Sequence, residues 1–178
     1  LDFDVSIQGK RIALMIEDDY QILEAWYPYL RLTEAGAVVT VVGSGEKKTF
    51  ESKEHYPMEA DASPGEVSAD DFDGVVVPGG FAPDNMRLHR PMIDLVRDIS
   101  TQGKMTAAIC HGGWILASAN AVQGRRVTGY APIEDDMVNA GATWVSDEPA
   151  VVDGHVITAR TPPDLPDFLK AIVAYFEQ

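Results

Sequence analysis

Apolar residues in this chain fall into short unbroken runs separated by stretches with helical spacing. RIALMI at 11–16, AVVTVV at 37–42, GVVV at 74–77 and MTAAI at 105–109 predict strands buried on both faces. Glu17, Asp18 and Asp19 open a helical pattern that ends at Gly36, acidic residues suiting a first turn and glycine a stop. Its expected core face carries Ile22, Trp26, Tyr29 and Thr33, with Ala25 and Leu32 beside them, and Pro28 predicts a kink. Pro91 to Gly103 predicts a second helix, packed through Met92, Leu95, Val96 and Ile99. The run at 105–109 ends at Cys110 and passes through His111-Gly112-Gly113 into an apolar helix ending near Ala119.

The remaining segments are shorter. Residues 44–70 read as a small hairpin excursion, around Thr49–Ser52 and Pro57–Asp61, and a loop. Residues 124–129 and 142–145 predict strands flanking a helix from Ile133 to Ala140, closed by Gly141. Residues 150–159 predict a hairpin in which Asp153-Gly154 forms a type I′ turn. The last helix starts near Pro162 or Pro163 and buries Leu165, Phe168, Leu169, Ile172, Val173 and Phe176. Strand and helix alternate throughout, which predicts an α/β sandwich around a mostly parallel sheet. Sites in such sheets lie beyond the carboxyl ends of the strands. The loops at 17–24, 78–84 and 110–113 are therefore expected to converge.

Composition narrows the class. A length of 178 residues fits one domain, with residues 1–10 as an N-terminal extension. The net charge of −14 opposes binding to nucleic acid or to an anionic membrane. One cysteine makes no intrachain disulfide, and the polar start LDFDVSIQGK is unlike a signal peptide. No apolar run approaches membrane-spanning length, so the expectation is a soluble cytoplasmic protein.

The chemistry centres on Cys110. A reactive residue on a sharp strand-to-helix turn is a nucleophile elbow, which raises its side chain above the sheet edge. A helix N-terminus is expected to lower the thiol pKa, and its free N–H groups face whatever forms on the sulfur. His111 offers a backbone N–H to an oxyanion and a ring to the thiol. Gly112 permits close backbone approach, and Gly79 and Gly80 after the GVVV strand are candidate second donors. Glu24 is a surface residue by default, but if it lies under the strand ends burial raises its pKa and it can bond the thiol. His55, His89 and His155 read as surface residues, and Asp135 and Asp136 as a solvated helix face. No cofactor or metal is expected. The sequence EDDYQ after the first strand lacks nucleotide-binding glycines, and neither paired cysteines nor H-x-x-x-H occurs.

These motifs together resemble the DJ-1/PfpI superfamily, specifically its PfpI-like intracellular protease branch (peptidase family C56). The matching pieces are AICHGG around Cys110, VVVPGGFAPDNMR at 75–87 and EAWYPYLRLTEAG at 24–36. GYAPIEDDMVNAGATWV at 129–145 and VVDGHVITARTPPDLPDF at 151–168 also match, so the likeness covers residues 11–177. It implies a flavodoxin-like three-layer sandwich, the fold class shared with class I glutamine amidotransferases, assembled as a homodimer or homohexamer. The amidotransferase activity itself is discounted, because no histidine here has glutamate two residues on.

The resemblance also implies site roles. Cys110 becomes the nucleophile, Glu24 the carboxylic acid bonded to it, and Gly80 and His111 the oxyanion donors. Asp84 stands where the branch has a glutamate that orients the histidine of a neighbouring subunit, and it is one methylene shorter. Gly113 replaces a frequent proline, and Tyr130 matches a tyrosine near the pocket. The implied activity is a cysteine-dependent hydrolase or lyase acting on reactive dicarbonyls or their adducts, as in glyoxalases and deglycases. An intracellular peptidase or amidase and a redox-sensing stress protein are the alternatives. A small carbonyl compound or a peptide is the expected partner.

Overall fold

The structure is a computed structural model that describes residues 6–178. Part of the expected N-terminal extension thus lies outside the described residues. Ile7 is buried, and its N–H donates to the Ala35 carbonyl at 3.0 Å, tying the start of the described chain to the first helix.

Six strands form the central sheet, in the order β2 (Val38–Val42), β1 (Arg11–Met15), β5 (Gly74–Val77), β6 (Met105–Ile109), β10 (Val156–Ala159) and β9 (Ala150–Asp153). All neighbours are parallel except β9, which runs antiparallel to β10. Every residue of β5 and β6 is buried, the condition under which a strand reads as an unbroken apolar run. Helices α1 (Ile22–Glu34) and α6 (Leu165–Phe176) pack together, as do α3 (Arg90–Thr101) and α4 (Gly113–Ser118). Right-handed crossovers running outward in both directions from the β1–β5 pair place these helix pairs on opposite faces. This is the flavodoxin-like arrangement, with its switch point between β1 and β5.

Outside the sheet, β3 (Thr49–Glu51) and β4 (Pro57–Glu59) make the expected hairpin. A short helix α2 (Ala82–Met86) occupies what reads as loop in the sequence. Strands β7 (Arg126–Val127) and β8 (Thr143–Trp144) pair with each other, flanking α5 (Glu134–Asn139). They are shorter than expected. Among the described residues no helix is long and apolar enough to cross a membrane.

Three expectations are corrected. Helix α1 begins at Ile22, because residues 17–20 are drawn into a loop in which Tyr20 bridges Ser52 and Gly80. Its buried face is Glu24, Ala25, Pro28 and Leu32, while Thr33 is exposed and Trp26 and Tyr29 are half-buried. A buried carboxyl and a buried proline disguise that face in the sequence. The β9–β10 turn centres on Gly154-His155, since Asp153 pairs with Val156. Only Gly154 has positive φ there (60°), as a type II′ turn requires.

Candidate active site

The site forms where β1, β5 and β6 end side by side. Gln21 begins it: its side chain caps α1 by accepting the Glu24 N–H at 2.9 Å, and its own N–H donates to Gly79 at 3.2 Å. The Phe81 N–H donates to Asp19 at 2.9 Å, so the loop before α1 is stitched to the Pro78-Gly79-Gly80 turn. Glu24, in the first turn of α1, is thereby held beneath the strand ends and is 0 % exposed.

Cys110 follows β6 directly, with φ at +59°, the left-handed region that a side chain enters only at a cost of about 1–2 kcal/mol. That conformation turns its Sγ back over the sheet, and the single 3₁₀ turn Cys110–Gly112 carries the chain into α4. The elbow depends on close approach: a Cβ on Gly112 would stand 2.5 Å from the Val77 carbonyl oxygen. Gly113 is looser, since a Cβ there would meet side-chain tips of Ile133 and Met137.

Around the sulfur, the backbone N–H groups of His111 and Gly80 lie close enough to favour a charge on Sγ, and His111 Nδ1 is 3.5 Å away. Glu24 lies next to the thiol, close enough for each to shift the other's titration. Its Oε2 accepts the Gly79 N–H at 2.7 Å, while its buried Oε1 has no hydrogen-bond partner among the described residues. The two candidate donor glycines therefore divide the work. Gly80 faces the sulfur, whereas Gly79 is committed to Glu24 and is no oxyanion donor, which corrects the sequence reading.

Burial raises the Glu24 carboxyl to about 7, against the smaller opposing pull of the Gly79 N–H, the thiol and Lys53. Burial and the Glu24 charge push the Cys110 thiol up to about 12, overriding the N–H donors of His111 and Gly80. The thiol is thus not lowered by its helix, as the sequence suggests. The two groups are coupled: Glu24 loses its proton first, near 7, while burial and then the Glu24 charge hold the proton on the thiol. An ionised Glu24 beside the thiol is a candidate acceptor for that proton. Burial and the nearby Lys53 charge lower His111, so its ring is neutral at pH 7.

A cavity of about 500 Å³ opens over Cys110. Glu24, Gly80, His111 and Tyr130 line it as expected. The rings of Tyr130 and Trp114 each lie 4.9 Å from the His111 ring and hold it in place. Asp84 is not brought in: it is exposed on α2 and touches no other side chain through a hydrogen bond or ion pair among the described residues. Gln21, Lys53, Phe81, Thr161 and Pro162 also line the cavity. Gln21 and Phe81 fall in the loops at 17–24 and 78–84 expected to converge, although neither is singled out in the sequence. Thr161 and Pro162 leave the carboxyl end of β10, so the strand-end rule points to them. Lys53 carries no such signal. His55 is exposed as expected, but His89 and His155 are half-buried, the latter bonded to Ser100 at 3.3 Å.

Gly79→Ala tests the packing of this turn. A Cβ there would lie 2.5 Å from Glu24 Oε2 and 2.7 Å from the Cys110 Cβ. The expected result is about 1–3 kcal/mol of lost stability in thermal unfolding, together with slower alkylation of Cys110. A variant as stable and as reactive as wild type would contradict the geometry.

The strained elbow thus sets Cys110 above the buried Glu24 as a candidate reactive thiol, on a flavodoxin-like sheet. The chain belongs to the DJ-1/PfpI family, whose model matches residues 10–175. It is 39% identical over 163 residues to deglycase PfpI of Pyrococcus furiosus, covering 92% of this chain and 97% of that one. It is 36% identical over 161 residues to protein/nucleic acid deglycase 2 of Escherichia coli, covering 90% and 94%. A two-domain protein from Anabaena variabilis, with DJ-1/ThiJ/PfpI-like and ferritin-like domains, superposes with a TM-score of 0.90 at 39% identity. That match covers 94% of this chain and 48% of the other, so this chain spans about half of that protein.

Proposed function

We propose that the protein is a cysteine-dependent enzyme that converts reactive dicarbonyls, or the adducts they form on amino groups, to hydroxy acids. The observation that carries this reading is the buried Glu24 carboxyl set beside the Cys110 thiol, next to the N–H groups of Gly80 and His111, in a small cavity. The names of the deglycase relatives support it.

With methylglyoxal, Sγ adds to the aldehyde carbon as its proton passes to Glu24. The carbonyl π pair becomes an alkoxide held by the N–H groups of Gly80 and His111, then protonated from Glu24 to give a hemithioacetal. A proton leaves the former aldehyde carbon to a base, His111 or Glu24, and an enediol forms. Reprotonation at the neighbouring carbon leaves a thioester on Cys110. Water cleaves it, releasing lactate and restoring the thiol, so the net change is addition of one water.

Peptide hydrolysis asks more of the site, because an amine leaving group needs an oriented acid. The His111 ring has no carboxylate partner among the described residues. We place that partner across a homodimer or homohexamer interface, where Asp84 of one subunit would reach His111 of another, in a cytoplasmic protein. Asp84→Ala is then expected to lower turnover several-fold, and dilution of wild type to monomer to lower it equally. Unchanged turnover in an assembled Asp84→Ala variant would remove Asp84 from the site.

Lactate formation from methylglyoxal, measured beside hydrolysis of a peptide library, tests the function. Methylglyoxal turnover without peptide cleavage is expected. Peptide cleavage without lactate would reverse the assignment.

A further inference from the structure

We infer that Lys53 makes the Cys110 cavity selective for carbonyl compounds that carry an anionic group, most simply a carboxylate beside the reacting aldehyde. This rests on the proposed carbonyl chemistry and names the substrate class for it.

Among the described residues Lys53 is the one lysine or arginine lining the cavity, in a protein whose net charge is −14. Its sequence neighbours Lys47 and Lys48 are occupied, by Asp18 at 2.6 Å and Glu59 at 3.5 Å. Among the described residues Lys53 has no such ion pair, and its Nζ sits 5.1 Å from the centre of the Phe81 ring, itself a cavity wall. The adjacent carboxylate, Glu54, accepts the Ile22 N–H at 3.3 Å at the start of α1.

The backbone there is built to hold this residue. The Lys53 N–H donates to the Tyr20 carbonyl at 2.9 Å, joining the turn of the β3–β4 hairpin to the loop that leads to Glu24. Ser52 is 1% exposed, and its Oγ accepts the N–H groups of Glu54 at 3.1 Å and Tyr56 at 3.0 Å. These bonds fix the backbone from which the exposed Lys53 side chain reaches the cavity rim. The charge also reaches inward, since it helps lower both Glu24 and His111.

The electrostatics favour an anion. Once Glu24 has lost its proton the Cys110–Glu24 pair holds one negative charge, and an acidic surface repels anions from a distance. A substrate carboxylate entering this cavity brings a second negative charge, which a cation at the wall offsets. Lys53 is exposed at the cavity rim, so the pull on an entering anion acts over the short distance between rim and thiol and weakens with added salt.

Alkylation of Cys110 by two reagents of similar size tests this without requiring turnover. In each, Sγ displaces iodide from carbon; iodoacetate carries a carboxylate and iodoacetamide is neutral. The iodoacetate-to-iodoacetamide rate ratio is expected to fall at least about tenfold in Lys53→Met and to recover in Lys53→Arg. In parallel, glyoxylate should protect wild-type Cys110 from iodoacetamide as a reversible hemithioacetal, and protect Lys53→Met at least about tenfold less. A ratio that changes less than about threefold, or an equal fall in both rates, would overturn the inference. A wild type that shows the expected ratio but no methylglyoxal turnover would leave the inference standing and remove the proposed function.

Discussion

Cys110→Ala is expected to lower lactate formation from methylglyoxal by about 10³-fold or more. Sγ is the atom that the Gly80 and His111 N–H groups address, and the chain has no second thiol to replace it. The fold should survive, because alanine keeps the Cβ and removes a single buried sulfur at the floor of the cavity. It does not relieve the elbow, however. At a φ of +59° any Cβ is strained, so Cys110→Gly should unfold at a higher temperature than Cys110→Ala, by about 1 kcal/mol of stability. A Cys110→Ala enzyme within tenfold of wild type would place the nucleophile elsewhere, and equal stability of the two variants would remove the strain.

Glu24→Gln should have the opposite effect on the fold. Burial raises Glu24 from 4.5 in the open chain to about 7, so the folded protein holds that proton more tightly than the unfolded one. Stability from this group is complete below pH 4.5 and is lost as pH rises through 7. The loss amounts to about 3 kcal/mol by pH 8. Glutamine still accepts the Gly79 N–H but carries no charge. Denaturant unfolding should therefore find the variant about 3 kcal/mol more stable than wild type at pH 8 and nearly equal at pH 4. A difference independent of pH would contradict this. Turnover should fall steeply in the same variant, which places the stability cost of Glu24 in the service of chemistry.

The parts of the fold that were legible are those whose environment is uniform. Strands β1, β5 and β6 lie in the sheet interior, so their apolar runs are direct images of their burial. The face of α1 was misread because the site uses it: Glu24 and Pro28 are buried where the pattern expects apolar residues. The β9–β10 turn slipped by one residue, since Asp-Gly and Gly-His are both compatible with a two-residue turn and cross-strand register decides between them. Within the site, Cys110 was visible from its strand-to-helix context. Glu24 became definite only through the family resemblance, because a glutamate near a helix start is ordinarily solvated. The division between Gly79 and Gly80 depends on a φ of +77° at Gly80, which a Gly-Gly pair does not reveal. Lys53 escaped notice because it reaches the site from a hairpin outside the main sheet.

The Cys110–Glu24 pair is the centre of the account, and the pH dependence of Cys110 alkylation by iodoacetamide tests it most directly. Wild type should gain reactivity with a midpoint near 7, where the pair loses its first proton. In Glu24→Gln no carboxyl is present to take the thiol proton, and burial alone should move the midpoint to about 8.5 or above. A wild-type midpoint at about 8.5 that Glu24→Gln leaves in place would show an ordinary, unpaired thiol and would contradict the account.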